Sequence, residues 1–182
     1  MRAVFLDRDG TINVDKGFVH DKEHWEYLDG ALNGLKKISE FGYLLIIITN
    51  QSGIARGYYS EEEYLLFEKW YLDDLRKNGI NIQKVYYCPH LPDAVVSKYA
   101  VSCNCRKPKT GLFWQAQREF GLELNRCFAI GDNERDLAIT LESDVRGIMI
   151  SDSTKGPFWG ERNYEVCSNL NDAAEIIRCF AE

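Results

Sequence analysis

The chain has 182 residues, enough for one domain with a full core and too few for two of ordinary size. An apolar content of 45% excludes a disordered chain, and a net charge of −6 argues against a broad basic face for nucleic acid. The longest apolar run, Tyr43 to Ile48, is strand-sized and too short to span a membrane, and the N-terminus lacks a secretion-signal pattern, so a cytoplasmic protein is the simplest expectation.

Ala3-Val4-Phe5-Leu6 is a short apolar strand that ends in Asp7. Residues 30–41 place Leu32, Leu35, Ile38 and Phe41 at helical spacing, and Gly42 supplies a stop. Leu44 to Ile48 is a continuous apolar strand of the kind found in parallel sheets covered on both faces. Ser60 and Glu63 form a capping box that opens a helix running to about Asn78 and Gly79. A strand is predicted at Lys84 to Tyr87, a helix over 111–120 and a strand at Cys127 to Ile130. A helix over 134–142 and a strand at Gly147 to Ile150 follow. Residues 151–169 read as a surface loop with one short strand, and a last helix covers about 171–180 with Asn171 as its cap. This alternation predicts a doubly wound, Rossmann-like α/β fold with helices on both faces of a parallel sheet, as a single domain over 1–182.

Asp7-Arg8-Asp9-Gly10-Thr11 follows the first strand directly, where open α/β sheets bind ligands. Two carboxylates two residues apart repel each other unless a cation lies between them, which points to a hard divalent metal with oxygen ligands. Three further segments join this one. Thr49-Asn50-Gln51-Ser52-Gly53 ends the second strong strand with small polar groups suited to phosphate oxygens. Arg106-Lys107-Pro108 places two cations at one point, and Gly131-Asp132-Asn133-Glu134-Arg135-Asp136 ends a later strand with more carboxylates.

Six cysteines are present, and Cys88, Cys103 and Cys105 share one stretch with His90. This C-x-H…C-x-C set, a loop over 88–105, suits tetrahedral zinc with no open position, a structural site that leads the chain straight into Arg106 and Lys107. Cys127, Cys167 and Cys179 lack such company and are expected as core or surface thiols, and His20 and His24 as loop residues rather than bases.

In this order the segments resemble the four motifs of the haloacid dehalogenase superfamily, over residues 3 to about 150. The resemblance implies that Asp7 attacks phosphorus to form an aspartyl-phosphate and that Asp9 protonates the leaving oxygen and then activates water. It implies that Thr49 and Lys107 hold the phosphoryl oxygens, and that magnesium binds the carboxylates of Asp7 and Asp132 and the carbonyl of Asp9. Asp136 would orient metal-bound water or Lys107. A second aspartate at position 9 resembles phosphatases rather than dehalogenases, and the short stretch between Thr11 and Thr49 leaves no room for a large cap domain.

Within the superfamily the zinc loop resembles two groups, the D-glycero-D-manno-heptose 1,7-bisphosphate phosphatases and the histidinol-phosphate phosphatases. The first is the closer match, through Asp7 to Asn13, Gly17 to His20, Thr49 to Gly57 and the spacing between His90 and Cys103. The resemblance implies a small phosphorylated sugar as substrate, flanked by residues 13–20 and 51–57. Asn50, Gln51, Ser52, Arg56, Arg106 and Asn133 are the expected binding residues. Asn133 departs from the lysine usual in the heptose group, Arg135 follows at a helix start that leaves its direction open, and residues 151–163 with Lys155, Phe158 and Trp159 also depart. Nucleic acid and membrane are not expected partners, a monomer is the default, and a catalytically silent binding protein is disfavoured by the presence of all four charged motif residues.

Overall fold

The computed structural model describes residues 1–151 and 164–180. Six strands form one parallel sheet: β1 (Ala3–Leu6), β2 (Leu44–Asn50), β3 (Ile82–Cys88), β4 (Phe128–Gly131), β5 (Arg146–Ile150) and β6 (Tyr164–Cys167). Their order is β3-β2-β1-β4-β5-β6. The chain first builds outward from β1 through β2 to β3, then crosses back to place β4 on the other side of β1. A crevice opens at such a reversal, beyond the carboxyl ends of the strands. The helices are α1 (Ala31–Glu40), α2 (Ser52–Ala55), α3 (Glu61–Lys77), α4 (Gly111–Phe120) and α5 (Leu170–Arg178). Among the described residues, no helix is long and apolar enough to cross a membrane.

Strand side chains alternate between two cores. Val4, Leu6, Leu45 and Ile47 pack with Leu35 and Ile38 of α1, Phe67 and Tyr71 of α3 and Ile177 of α5. Ala3, Phe5, Ile46 and Ile48 pack with Leu112, Phe113 and Ala116 of α4 on the opposite face. Burial on both faces explains why β1 and β2 read as unbroken apolar runs rather than as alternating ones. The predicted capping box opens α3: Glu63 N donates to Ser60 Oγ at 3.1 Å, and Ser60 N donates to Glu63 Oε2 at 2.6 Å.

Two expectations are corrected in detail, and one element had not been expected. The segment expected as a helix over 134–142 is a 3-10 helix, Glu134–Leu141. Its entry is a tight turn in which Asp136 N donates to Asn133 O at 2.9 Å while the Asp136 side chain is drawn inward to Lys107. The last helix is capped by Asn169, whose Oδ1 accepts from Asp172 N at 3.1 Å, two residues ahead of the expected Asn171. The four-residue helix α2 was not anticipated, because so short a turn carries no periodic signal. Lys155, Phe158 and Trp159 lie outside the described residues.

Candidate active site

Register brings the motif residues together. Leu6 of β1 pairs with Ile47 of β2 and with Ile130 of β4, so the three strands release their chains at one level. Asp7, Thr49 and Asp132 emerge there, and Asp7 N continues the ladder by donating to Ile130 O at 2.9 Å. Lys107 arrives from a distant loop and is clamped by Asn50. Asn50 Nδ2 donates to Lys107 O at 3.1 Å, and Lys107 N donates to Asn50 Oδ1 at 3.0 Å. Asn50, expected against substrate, thus uses both ends of its amide to hold the Lys107 backbone while still lining the cleft.

Lys107 Nζ donates to Asp7 Oδ1 at 2.6 Å and to Ile48 O at 2.6 Å, and lies 2.8 Å from Asp136 Oδ1. Asp9 sits beside them, its two oxygens held differently. Oδ1 accepts from Arg8 Nη2 at 2.7 Å and Asn13 Nδ2 at 3.0 Å. Oδ2 accepts from Gln51 Nε2 at 3.3 Å, and the same Gln51 nitrogen donates to Thr49 Oγ1 at 3.0 Å. Tyr59 OH donates to Gln51 Oε1 at 2.8 Å and orients this amide. Gly10, at φ +82°, makes the turn between the first motif and Asp132. A Cβ at this position would run into the Asp132 carboxylate, so only glycine allows the approach.

Burial and charge oppose each other in the electrostatics of this site. Burial pushes the Asp7 carboxyl up to about 7, against the opposing pull of Lys107. Burial works against the Lys107 ammonium, but the charges of Asp7 and Asp136 hold its pKa above the usual lysine value. Asp132 is also raised, first by burial and then by Asp136. Oxygens of Asp7, Asp132 and Asp136 lie within 4.8 Å of one another, and Asp132 Oδ1 is buried without a hydrogen-bond partner among the described residues. Three carboxylates against one ammonium leave negative charge that a divalent cation would offset, and an oxygen-only donor set with an orphaned carboxylate oxygen fits magnesium. Asp7 and Asp136 both also contact Lys107, whereas Asp132 Oδ1 has no hydrogen-bond partner among the described residues.

Above this floor opens a cleft of about 340 Å³. Asp7, Asp9, Thr49, Gln51 and Lys107 line it, together with the expected Ser52, Arg56 and Arg106. Asn133 is not part of the lining; it is exposed and its Oδ1 accepts from Arg135 N at 3.3 Å. Arg135, two residues on, does line the cleft. Phe18, held at φ +56°, lines the cleft and packs edge-on against Tyr58 at 4.8 Å between ring centroids, and Arg56 lies over the Phe18 ring at 5.7 Å. Tyr59 was missed by sequence reasoning: it sits beyond the polar stretch and carries no motif signal. His20 stacks on Tyr59 at 4.4 Å and His24 pairs with Asp21 at 2.7 Å, both consistent with loop roles.

The cysteine loop adjoins this site through the sheet. Asn50 pairs with Cys88 across β2 and β3, and Gln51 N donates to Cys88 O at 2.8 Å. Cys88 Sγ lies 3.6 Å from Cys103 Sγ and 3.2 Å from Cys105 Sγ, and His90 Nδ1 lies 3.3 Å from Cys105 Sγ. A tetrahedral zinc with sulfur at about 2.3 Å places its sulfurs roughly 3.8 Å apart, close to this arrangement. The thiols are free and unlike one another. Burial raises Cys88, whereas at Cys103 hydrogen bonds from Cys105 and the backbone outweigh burial and bring the thiol down to about 6. Several thiols crowded on one imidazole are the arrangement that a soft divalent cation relieves.

Residues 2–147 match the family model described as polynucleotide kinase 3 phosphatase. A D-glycero-beta-D-manno-heptose-1,7-bisphosphate 7-phosphatase of Yersinia pestis is 36% identical over 98% of this chain and 94% of its own length. Another of the same name, from Photorhabdus laumondii, is 44% identical over 74% of this chain and 72% of its own. Among solved structures, the D,D-heptose 1.7-bisphosphate phosphatase from B. bronchiseptica, complexed with magnesium and phosphate, superposes with a TM-score of 0.84 at 26% identity, covering 99% of both chains. With its aspartates and lysine converging at the reversal of a six-stranded parallel sheet, the chain belongs to the polynucleotide kinase 3 phosphatase family within the haloacid dehalogenase superfamily and is a phosphoric monoester hydrolase.

Proposed function

We propose that this enzyme removes the 7-phosphate of D-glycero-D-manno-heptose 1,7-bisphosphate. The observation that carries the chemistry is the convergence of Asp7, Lys107 and Asp9 on one cleft, with Lys107 Nζ 2.6 Å from Asp7 Oδ1. Asp7 attacks phosphorus while the bond to the leaving alkoxide breaks, and Asp9 gives that oxygen a proton. Asp9 then takes a proton from the water that attacks the aspartyl-phosphate, which frees Asp7 and releases phosphate. Thr49 and Lys107 hold the phosphoryl oxygens throughout. The carboxylates of Asp7 and Asp132 and the carbonyl of Asp9 would hold magnesium, which when bound would supply positive charge to lower the repulsion between a carboxylate and a phosphate.

The substrate assignment rests on the relatives named above and on the cations of the cleft. Arg56, Arg106 and Arg135 all line it: Arg56 lies over Phe18, Arg106 Nη1 donates to His90 O at 3.3 Å, and Arg135 Nε makes a long ion pair with Asp136 Oδ1 at 3.8 Å. They suit a ligand with a second phosphate. Arg135 offers the positive charge that Asn133 lacks. Zinc at Cys88, His90, Cys103 and Cys105 would hold the loop that delivers Arg106 and Lys107.

The test is phosphate release with and without magnesium, from both anomers of heptose 1,7-bisphosphate, histidinol phosphate, fructose 1,6-bisphosphate and a DNA 3′-phosphate end. Selective turnover of a heptose bisphosphate is the expected result. Preference for histidinol phosphate or the DNA end would keep the chemistry and replace the substrate.

A further inference from the structure

We propose that Arg8 is a positioning residue, which fixes the carboxylate of Asp9 for proton transfer and ties it to the loop of residues 13–20 at the cleft rim. The proposal rests on the reading of Asp9 as proton donor. The Arg8 side chain is fully buried. Its Nη2 uses both hydrogens, one on Asp9 Oδ1 at 2.7 Å and one on Val19 O at 2.6 Å. Its Nε and Nη1 have no hydrogen-bond partner among the described residues; instead Cζ lies 5.9, 5.5 and 5.8 Å from the ring centroids of Tyr64, Phe67 and Tyr71. Among the described residues, Asp9 provides its one ion pair.

Burying a guanidinium is expensive, and an apolar side chain would fill this space under the aromatic rings of α3 without that penalty. The charge is therefore explained by what it holds. With Arg8 and Asn13 both donating to Oδ1, the Asp9 carboxylate cannot rotate about its own axis, and Oδ2 is the oxygen left toward Gln51 and the cleft. Water cannot screen the pair from the Arg8 side. The bond to Val19 O places the loop bearing Asp15, Gly17 and Phe18 by the same nitrogen that places the acid, so rim and proton donor move as one unit.

A misplaced acid harms a substrate whose leaving group needs a proton far more than one whose leaving group departs as a stable anion. Single-turnover transfer to the enzyme is measured for Arg8→Met with a hexose or heptose phosphate and with 4-nitrophenyl phosphate, alongside KM for each. The sugar phosphate rate should fall by about 10²-fold or more and the nitrophenyl rate by less than about tenfold, with KM changed little, as for loss of general-acid catalysis. Equal losses on the two substrates, or none, would overturn the proposal. If Arg8→Met does not fold, Arg8→Lys decides by the same comparison, since it keeps the charge but cannot span both acceptors in the same geometry. A wild-type protein inert toward both phosphates with magnesium present would instead overturn the reading of Asp9 and the proposed function.

Discussion

Lys107 and Asp7, a hundred positions apart in the chain, meet at 2.6 Å in a pair with hardly any solvent exposure. Asp136 shares the same ammonium at 2.8 Å, so one buried cation serves two carboxylates. The pair lies at the floor of the cleft, and with Asp136 added the cluster carries one more carboxylate than cation.

Burial lifts Asp7 from its ordinary 3.8 to about 7. A carboxyl raised in the folded state favours folding at low pH, and that contribution is lost as pH rises through the folded value. Magnesium-free protein should therefore lose stability from this group between about pH 4 and 7, and Asp7→Asn should flatten the slope. Denaturant unfolding at stepped pH in magnesium-free buffer measures it; equal slopes in the two proteins would count against the assignment.

Asp7→Asn removes the proposed nucleophile without removing volume. Turnover of any phosphate monoester should fall by a factor on the order of 10⁴ or more, with the far-ultraviolet spectrum unchanged. A variant with full activity would show that another group attacks phosphorus.

Magnesium should raise the melting temperature of the wild-type protein, because an ion that binds the folded state alone stabilises it by mass action. Asp132 Oδ1 has no partner within the described residues. Asp132→Asn should therefore abolish most of the magnesium-induced shift while leaving the metal-free fold intact. An undiminished shift would place the ion elsewhere.

Cys105→Ser should lower the melting temperature by several degrees and lower activity together, because Cys105 immediately precedes Arg106 and Lys107. Elemental analysis should find about one zinc per wild-type chain and far less in the variant. Activity lost on zinc chelation should return with zinc and not with magnesium alone; recovery with magnesium alone would separate the cysteine loop from the active site.

The alternation of strands and helices was legible because both faces of the sheet are covered. Apolar runs such as Leu44 to Ile48 then stand out whatever their partners, and each ends in a polar motif. The capping box at Ser60 was equally legible, since it is complete within four residues. Local signals failed where the geometry is set by a distant contact. The 3-10 form of Glu134–Leu141 accompanies an Asp136 turned toward Lys107, and the cap of α5 falls on Asn169 rather than on the equally polar Asn171.

Residue types and their spacing by themselves determined the chemistry at the strand ends and the donors of the cysteine loop: carboxylates, hydroxyls, cations and thiols keep their chemistry in any fold. Only the tertiary structure decided how they meet. It turned Asn50 onto the Lys107 backbone, put Arg135 rather than Asn133 on the cleft, and brought Tyr59 onto Gln51. It also sealed Arg8 beneath three aromatic rings of α3. Those outcomes depend on side-chain direction and burial across segments far apart in the chain, which are set by strand register and helix packing and leave no trace in local spacing.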